Sequence, residues 1–258
     1  MTRPQPVITP PTSQRWDEPE GVEARGTVIV LGGRGETPWA DARLGRRLSA
    51  DAYRVRAVGD VTAPRTRTVE LAKNLLREGG VAPVVLLGAD AGSLLALRLA
   101  AAAPQLVSGV ITIGFPSDRA RVPDGVPQLP LRTTSPEHWA TLADPSVLDP
   151  NALSRSIPLN LSPPAPEDIR VPVLAVHGAT DPVAPLTDAL AYYARIPEAR
   201  VFVVDGGRHD SVNDAAHRSV AAAVVLFLEE LRNGAPTLSA VSLTEGPGFP
   251  GPPPAGCR

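Results

Sequence analysis

The sequence is poor in cysteine, in long apolar runs and in clustered positive charge. Cys257 is the only cysteine among 258 residues, so an internal disulfide and a cysteine-based metal cluster are both excluded. The longest apolar runs, around 220–228 and 94–103, fall short of the roughly 20 residues that cross a bilayer. The formal net charge is -2, and no basic stretch is interleaved with aromatics. We therefore expect no nucleic-acid partner and no membrane span.

With 43% hydrophobic and 20% charged residues, the chain can bury a large core and fits one domain with extensions. The first 21 residues lack the apolar stretch of a signal peptide, so we expect a cytoplasmic protein. The sequence carries no signal for an oligomeric state. Composition predicts a flexible proline-rich arm at 1–24, a folded domain at 25–232 and a disordered Gly/Pro-rich tail at 233–258.

Short apolar runs alternate with helical patterns through most of the domain. Such alternation predicts a mostly parallel sheet with helices on both faces. The six runs with the composition of buried strands cover residues 26–31, 53–58, 81–87, 107–113, 171–176 and 200–204. The proline-rich segment 117–169 breaks the pattern. We interpret it as a small cap inserted over the strand ends, with a disordered excursion as the alternative.

The strand predicted at 81–87 ends in Gly88-Ala89-Asp90-Ala91-Gly92, a Gly-x-nucleophile-x-Gly turn. Its glycines let the backbone reverse sharply between strand and helix, which holds the middle side chain above the sheet. That middle residue, Asp90, is an aspartate. The alternative is an ordinary strand-to-helix turn in which Asp90 caps the helix.

Two more polar residues follow predicted strands, Asp181 after 171–176 and His209 after 200–204. Open parallel sheets gather their active sites at the carboxyl ends of the strands. We therefore expect Asp90, Asp181 and His209 to meet there. The order nucleophile, acid, histidine is typical of one class of hydrolase triads.

Together these motifs resemble the α/β-hydrolase superfamily, from about Thr27 to Leu231. The acid turn is His-Gly-Ala-Thr-Asp-Pro at 177–182, and the histidine turn is Gly-Gly-Arg-His at 206–209. The loop Gly-Gly-Arg-Gly-Glu at 32–36 is similar to the oxyanion loop of lysophospholipase and monoacylglycerol lipase relatives. The resemblance implies an α/β-hydrolase fold with about six strands and an enzyme acting on a small-molecule substrate. We expect no metal and no cofactor, because no histidine and carboxylate group has metal-ligand spacing and the loop at 32–35 lacks the Walker lysine and the dinucleotide fingerprint.

The resemblance departs from those lipases at two positions. Gly32 stands where they usually have histidine, which matters little because the loop contributes backbone N–H groups beside Gly33. The donors expected for an oxyanion are the N–H groups of Arg34 and Ala91. Asp90 stands where the lipases have serine, as it does in haloalkane dehalogenases and epoxide hydrolases. A carboxylate attacks a saturated carbon and forms an alkyl-enzyme ester, which a histidine-activated water then hydrolyses.

Those two subfamilies also need a donor for the departing anion. Dehalogenases commonly place tryptophan directly after the nucleophile, where this chain has Ala91, and segment 117–169 has no tyrosine to open an epoxide. Trp39 and Trp139 could donate indole N–H bonds, although packing roles are more typical of such residues.

Three histidines outside the triad have weaker signals. His138 in the cap could touch substrate, with a surface position as the alternative. The resemblance implies that His177 supports the loop carrying Asp181, and His217 is expected to face solvent. Two other functions stay open. One is an esterase-like or lyase-type enzyme with Asp90 as general base, and the other is a non-catalytic binding protein on the same fold.

Overall fold

The computed structural model describes residues 13–63, 67–117, 120 and 122–236. These residues build one seven-stranded sheet in the order β1-β3-β2-β4-β5-β6-β7, in which β1 is antiparallel and every other pairing is parallel. The strands are β1 (Ser13–Trp16), β2 (Gly26–Gly32), β3 (Tyr53–Asp60), β4 (Val84–Ala89), β5 (Gly109–Ile113), β6 (Val173–Gly178) and β7 (Ala199–Val204). The helices are α1 (Ala42–Ala50), α2 (Thr68–Glu78), α3 (Ala91–Ala102), α4 (Leu129–Arg132), α5 (Pro136–Leu142), α6 (Leu186–Tyr193) and α7 (His217–Asn233).

The seventh strand lies where composition predicted a flexible arm. β1 pairs antiparallel with β3 at one edge of the sheet, and the side chain of its Trp16 packs on neighbouring residues. The indole lies so close to Gly45 of α1 that a Cβ there would meet it at 2.4 Å. It also meets Trp39 edge to face, with ring centroids 6.3 Å apart. One large aromatic group thus anchors a segment whose average composition is polar. Residues 1–12 of the arm predicted at 1–24, and residues 237–258 of the tail predicted at 233–258, lie outside the described residues.

Helices cover both faces of the sheet. α1 and α7 pack on one face through residues such as Leu48, Val224 and Phe227. α2, α3 and α6 pack on the other, where α3 lies directly behind β4. The central strands β2, β4, β5 and β6 are buried along their whole length, as expected for parallel strands covered on both sides. No helix within the described part of the chain has the length and apolarity to cross a membrane.

The segment between β5 and β6 is folded onto the strand ends rather than forming a disordered excursion. It contains α4, α5 and several 3-10 turns, and it buries Leu142, Leu148 and Leu153. Its backbone is hydrogen-bonded to the loop after β7, since His209 N–H donates to the Leu131 carbonyl and Asp210 N–H to the Arg132 carbonyl. This segment therefore closes the site at the carboxyl ends of the strands.

Candidate active site

Asp90 occupies the sharp turn between β4 and α3, in a backbone conformation that side chains rarely adopt. Its φ and ψ are 47° and -122°, a strained conformation of a kind that costs on the order of 1–3 kcal/mol and is concentrated at functional sites. The turn needs glycine on both sides. A Cβ on Gly88 would lie 2.2 Å from the Gly92 carbonyl oxygen, and one on Gly92 would lie 2.0 Å from the Leu31 carbonyl oxygen.

The loop after β2 lies directly against this turn. A Cβ on Gly33 would lie 2.9 Å from the Asp90 Cβ, so only glycine permits the approach. The Arg34 N–H donates to Asp90 Oδ2 at 2.9 Å. The loop is held by two acidic side chains, since Gly33 N–H donates to Glu36 Oε2 and Gly35 N–H to Asp60 Oδ2, both at 2.8 Å. The backbone donor predicted for an oxyanion thus points at the Asp90 carboxylate.

The structure brings Asp90, His209 and Asp181 together at the carboxyl edge of the sheet. His209 Nδ1 is hydrogen-bonded to Asp181 Oδ2 at 2.8 Å. His209 Nε2 lies 3.4 Å from Asp90 Oδ1, close enough for charge attraction but outside hydrogen-bonding geometry. Asp181 Oδ1 accepts the N–H groups of Val183 and Ala184, which fixes the carboxylate against the histidine.

The side chain of Arg34 forms a buried ion pair with Asp90. Its Nε donates to Asp90 Oδ2 and its Nη2 to Asp90 Oδ1, both at 2.8 Å. Its Nη1 donates to the carbonyl oxygens of Ala120, Leu153 and Arg155, at 3.0, 3.1 and 3.1 Å. Arg34 is 0% exposed and Asp90 2% exposed. The guanidinium therefore engages both oxygens of the carboxylate and ties it to the segment that closes the site.

Several solved hydrolase structures are similar in fold to this chain. A monoacylglycerol lipase from Paleococcus ferrophilus matches with a TM-score of 0.67 and 17% identity, over 86% of this chain and 98% of that one. A soluble variant of the Saccharomyces cerevisiae monoglyceride lipase matches with a TM-score of 0.68 and 18% identity, over 90% and 99%. The enol-lactonase from Burkholderia xenovorans matches with a TM-score of 0.65 and 19% identity, over 84% and 96%.

A family profile described as "TAP-like protein" matches residues 154–237, the part of the chain that carries Asp181 and His209. The structural matches show that the chain has the α/β-hydrolase fold. No curated protein sequence matched it. Because identities below 20% show the fold alone, what this protein does has to be argued from its own residues.

Four charged groups meet at the turn that carries Asp90, which we call the elbow, and their charges shift the pKa values of Asp90, Asp181 and His209. We call Arg34, Asp90, Asp181 and His209 the elbow cluster. Burial by itself would raise the pKa of Asp90, but the Arg34 guanidinium and then His209 hold that pKa well below its usual value. Burial would likewise lower the pKa of His209, but Asp181 and then Asp90 raise it to about 10. The elbow cluster therefore holds an imidazolium between two carboxylates.

A second buried charge cluster lies beside the first. We call Glu36, Asp41, Arg132 and Asp210 the Arg132 cluster. Arg132 Nη1 lies 2.7 Å from Glu36 Oε1 and 3.4 Å from Asp210 Oδ1, and its Nη2 donates to the Arg34 carbonyl at 2.7 Å. Burial and then Asp210 raise the pKa of Glu36 to about 8, against the attraction of Arg132. Burial and Asp210 also raise the pKa of Asp41, to about 7.

The histidines outside the triad are more buried than the sequence indicated. His138 is not at the surface. It is 3% exposed, and its Nε2 lies 3.3 Å from Asp210 Oδ2, because the segment before β6 folds back over the strand ends. His217 is half-buried as the first residue of α7, with Nδ1 near the Asp214 carbonyl. His177 Nε2 lies 2.8 Å from the Ala184 carbonyl and 3.5 Å from Asp181 Oδ2, which fits a role in supporting the acid loop.

Of the other residues predicted for the site, Ala91 lies beside Asp90, whereas Trp39 and Trp139 do not. Ala91 is the buried first residue of α3, next to Asp90. Trp39 is packed against Trp16 and lines a groove with Arg43 on α1, and Trp139 is 39% exposed on α5. No contact in the described residues joins either indole to Asp90. The residue that the sequence analysis missed is Arg34 as a side chain, and the available signal was its opposite charge to Asp90 in the loop already assigned to that site.

Proposed function

We propose that this chain is a hydrolase in which Asp90 attacks a saturated carbon that carries a leaving group, with His209 and Asp181 completing the triad. The observation that carries the proposal is the placement of the Asp90 carboxylate on a strained elbow, 3.4 Å from the nitrogen of a histidine whose other nitrogen is bonded to Asp181. The printed activities of the solved relatives, lipase and lactonase, support hydrolysis as the reaction class.

The proposed reaction has two steps. An Asp90 oxygen forms a bond to the carbon, and the leaving group departs with the bonding electrons, which gives an aspartyl alkyl ester. With the Asp90 charge removed, the pKa of His209 falls and its proton is released to solvent. Neutral His209 then accepts a proton from water, and the hydroxide attacks the ester carbonyl. When the tetrahedral intermediate collapses, His209 gives the proton that it took from water to the departing alcohol. The new carboxylic acid then transfers its proton to His209, so that Asp90 returns to its carboxylate form.

The charge state of Asp90 favours a nucleophile over a general base. A carboxyl group whose pKa is held well below its usual value is a weak proton acceptor, and general bases work best with a pKa near the operating pH. A nucleophilic carboxylate needs only to be ionised and accessible. The Arg34 N–H at Asp90 Oδ2 would also stabilise the oxyanion formed when water attacks the ester.

The proposed reaction requires that a substrate can reach the Asp90 carboxylate. Arg34 engages both Asp90 oxygens, so a substrate can reach Asp90 only after the guanidinium has moved. The three carbonyl bonds of Arg34 Nη1 tie that movement to the segment over the site. We therefore propose that the structure is a closed state, and that substrate binding requires this segment and Arg34 to separate from Asp90.

Trapping of the ester tests the mechanism. The His209→Gln variant, which can form the ester but not hydrolyse it, is incubated with a panel of alkyl halides, epoxides and activated esters, and its intact mass is measured. We expect an adduct that maps to Asp90. The matched control is Asp90→Asn/His209→Gln, which should stay unmodified. A third variant, Arg34→Met/His209→Gln, should be modified faster if Arg34 limits access, and circular dichroism verifies that each variant is folded.

A second candidate function is a non-catalytic hydrolase-fold binding protein, and the closed Arg34–Asp90 pair favours it. Folded His209→Gln and Arg34→Met/His209→Gln proteins that both stay unmodified would contradict the nucleophile proposal and favour this candidate. Ester turnover by the wild type without an adduct, lost in Asp90→Asn, would instead favour Asp90 as a general base.

A further inference from the structure

A small cavity between α1 and α7 is lined by cationic side chains. Its volume is about 370 Å³, near the lower end of the range for small-molecule sites, roughly 300–1,000 Å³. Its apolar surface comes from both helices and from the loop before α7. The residues around it are Arg43, Leu44, Arg47, Val212, His217, Arg218 and Ala221. The cationic groups are unusual in a chain of net charge -2.

The charges around the cavity are only partly compensated by the protein. Arg47 is paired with Asp51 at 2.9 Å, and Arg43 lies 3.9 Å from Glu137 Oε2. Arg43 also donates to the Asn213 carbonyl. The side chain of Arg218 has no hydrogen bond or ion pair with any other part of the chain that the structure describes. The three guanidinium groups thus face two carboxylates, and one guanidinium is free to bind a ligand.

The start of α7 adds to the same positive field. α7 is 17 residues long, its N-cap residue Ala216 makes no side-chain bond, and its first turn contains no acidic residue. The partial positive charge of a helix N-terminus is commonly offset by a capping or acidic side chain. The first turn of α7 contains no such side chain, and the Asp214 carboxylate, which accepts the Ala215 N–H, lies two residues before the N-cap. The first two residues of α7, His217 and Arg218, line the cavity.

We propose that this cavity binds the phosphate group of a small soluble phosphate ester. Arginine forks match the oxygens of phosphate in paired hydrogen bonds, and a phosphate carries more charge and more acceptor oxygens than a single carboxylate. The apolar residues Leu44, Val212 and Ala221 provide a surface for the organic part of the ligand. This site is separate from the elbow cluster and does not depend on what Asp90 does.

Calorimetric titration with sodium pyrophosphate, at ionic strength held constant with sodium chloride, tests the proposal. We expect saturable binding by the wild type. Arg218→Ala and Arg47→Ala, which remove one cation from each wall, should each weaken binding by about tenfold, as expected for loss of a hydrogen bond between charged groups. The matched control is Arg232→Ala, which removes the same charge from the exposed other end of α7 and should leave the affinity unchanged.

Three outcomes would overturn the proposal. The first is absence of saturable pyrophosphate binding by the wild type. The second is an equal loss of affinity in Arg218→Ala and Arg232→Ala, which would indicate attraction by overall charge. The third distinguishes a lipid source of the phosphate, since co-sedimentation with phosphatidylcholine vesicles that contain phosphatidic acid, in the absence of pyrophosphate binding, would assign the cationic surface to a membrane.

Discussion

The elbow cluster and the Arg132 cluster are neighbours with the same degree of burial and opposite protonation behaviour. The elbow cluster holds two carboxylates, one guanidinium and an imidazole, and the pKa values of both Asp90 and Asp181 are lowered. The Arg132 cluster holds three carboxylates around one guanidinium, and the pKa values of Glu36 and Asp41 are raised to about 8 and about 7. Only Asp210, which is attracted by Arg132 and His138, has a lowered pKa there.

The comparison shows that the number of cations, rather than burial, decides which buried carboxylates stay ionised. Burial by itself would raise the pKa of all five carboxyl groups of the two clusters. Where each carboxylate has a cation of its own, attraction outweighs that cost, and where carboxylates outnumber cations some of them keep their protons. The consequence for function is that the ionised group, Asp90, is the one placed to act as a nucleophile.

Removal of the guanidinium from the elbow cluster should have the largest effect. Arg34→Met keeps much of the side-chain volume but leaves Asp90 with only His209 as a counter-charge. Breaking a buried ion pair from one side costs about 3–5 kcal/mol, so we expect the free energy of unfolding to fall by that amount. Urea denaturation at neutral pH measures it.

Two further variants sharpen this result. Arg34→Met/Asp90→Asn removes both charges and should recover a large part of the loss, since an uncompensated buried charge is the main cost. Arg98→Met, on the exposed side of α3, controls for the substitution itself. A loss below about 1 kcal/mol in Arg34→Met would show that the pair is not a structural requirement.

Glu36→Gln should change how stability depends on pH. Because the pKa of Glu36 rises from 4.5 to about 8 on folding, the folded protein retains a proton that the unfolded chain releases. Its contribution is present in full below about pH 4.5 and is lost as the pH rises through about 8. The wild type should therefore lose stability over this window, on the order of 4 kcal/mol more than Glu36→Gln.

Urea denaturation at about pH 5 and about pH 9 measures the difference between the two proteins. Glu167→Gln, on an exposed glutamate, is the matched control and should follow the wild type. A Glu36→Gln protein with the same pH dependence as the wild type would indicate that Glu36 is ionised throughout, and the comparison between the two clusters would fail.

Neutralisation of Asp90 should lower the pKa of His209. Asp181 contributes most to the raised value of about 10, and Asp90 contributes next. We therefore expect Asp90→Asn to lower the pKa of His209 by at least about two units, equal to about 2.7 kcal/mol, because the neutral side chain also leaves the Arg34 guanidinium without its counter-charge. Asp181→Asn should lower it further. NMR titration of the His209 imidazole gives both values, and an unchanged pKa in Asp90→Asn would remove the basis for His209 becoming a base after alkylation.

Much of the fold followed from local patterns. Parallel strands that are buried on both faces are rich in β-branched residues, and the tight turns at their ends contain glycines. The elbow at Asp90 and the turns that carry Asp181 and His209 could therefore be predicted from the sequence. β1 was missed because its stability comes from one residue, Trp16, packed on Gly45 of a distant helix. The average composition of a segment does not reveal such a contact.

The ion pair between Arg34 and Asp90 was harder to predict from the sequence. Arg34 and Asp90 are 56 residues apart, and they meet because β2 and β4 are neighbours while β3, which lies between them in the chain, pairs on the far side of β2. The burial of His138 depends on how the segment before β6 folds over the strand ends. Both features come from the arrangement of elements in space rather than from any local pattern.

The smallest effect should come from an ion pair of the same chemistry at the surface. Arg195 Nη2 lies 3.1 Å from Glu167 Oε2, with side chains 63% and 64% exposed, whereas the Arg34–Asp90 pair has side chains 0% and 1% exposed. Water and salt screen the exposed pair, and ordering two long side chains offsets most of its attraction. We expect Arg195→Ala to cost less than about 0.5 kcal/mol and a double-mutant cycle with Glu167→Ala to give a coupling of similar size.

The coupling between Arg195 and Glu167 should disappear at about 1 M sodium chloride, while that of Arg34 with Asp90, measured in the same way, should persist. Equal couplings at the two sites would mean that burial does not control the strength of these pairs, and the proposal that Arg34 restrains access to Asp90 would lose its energetic basis.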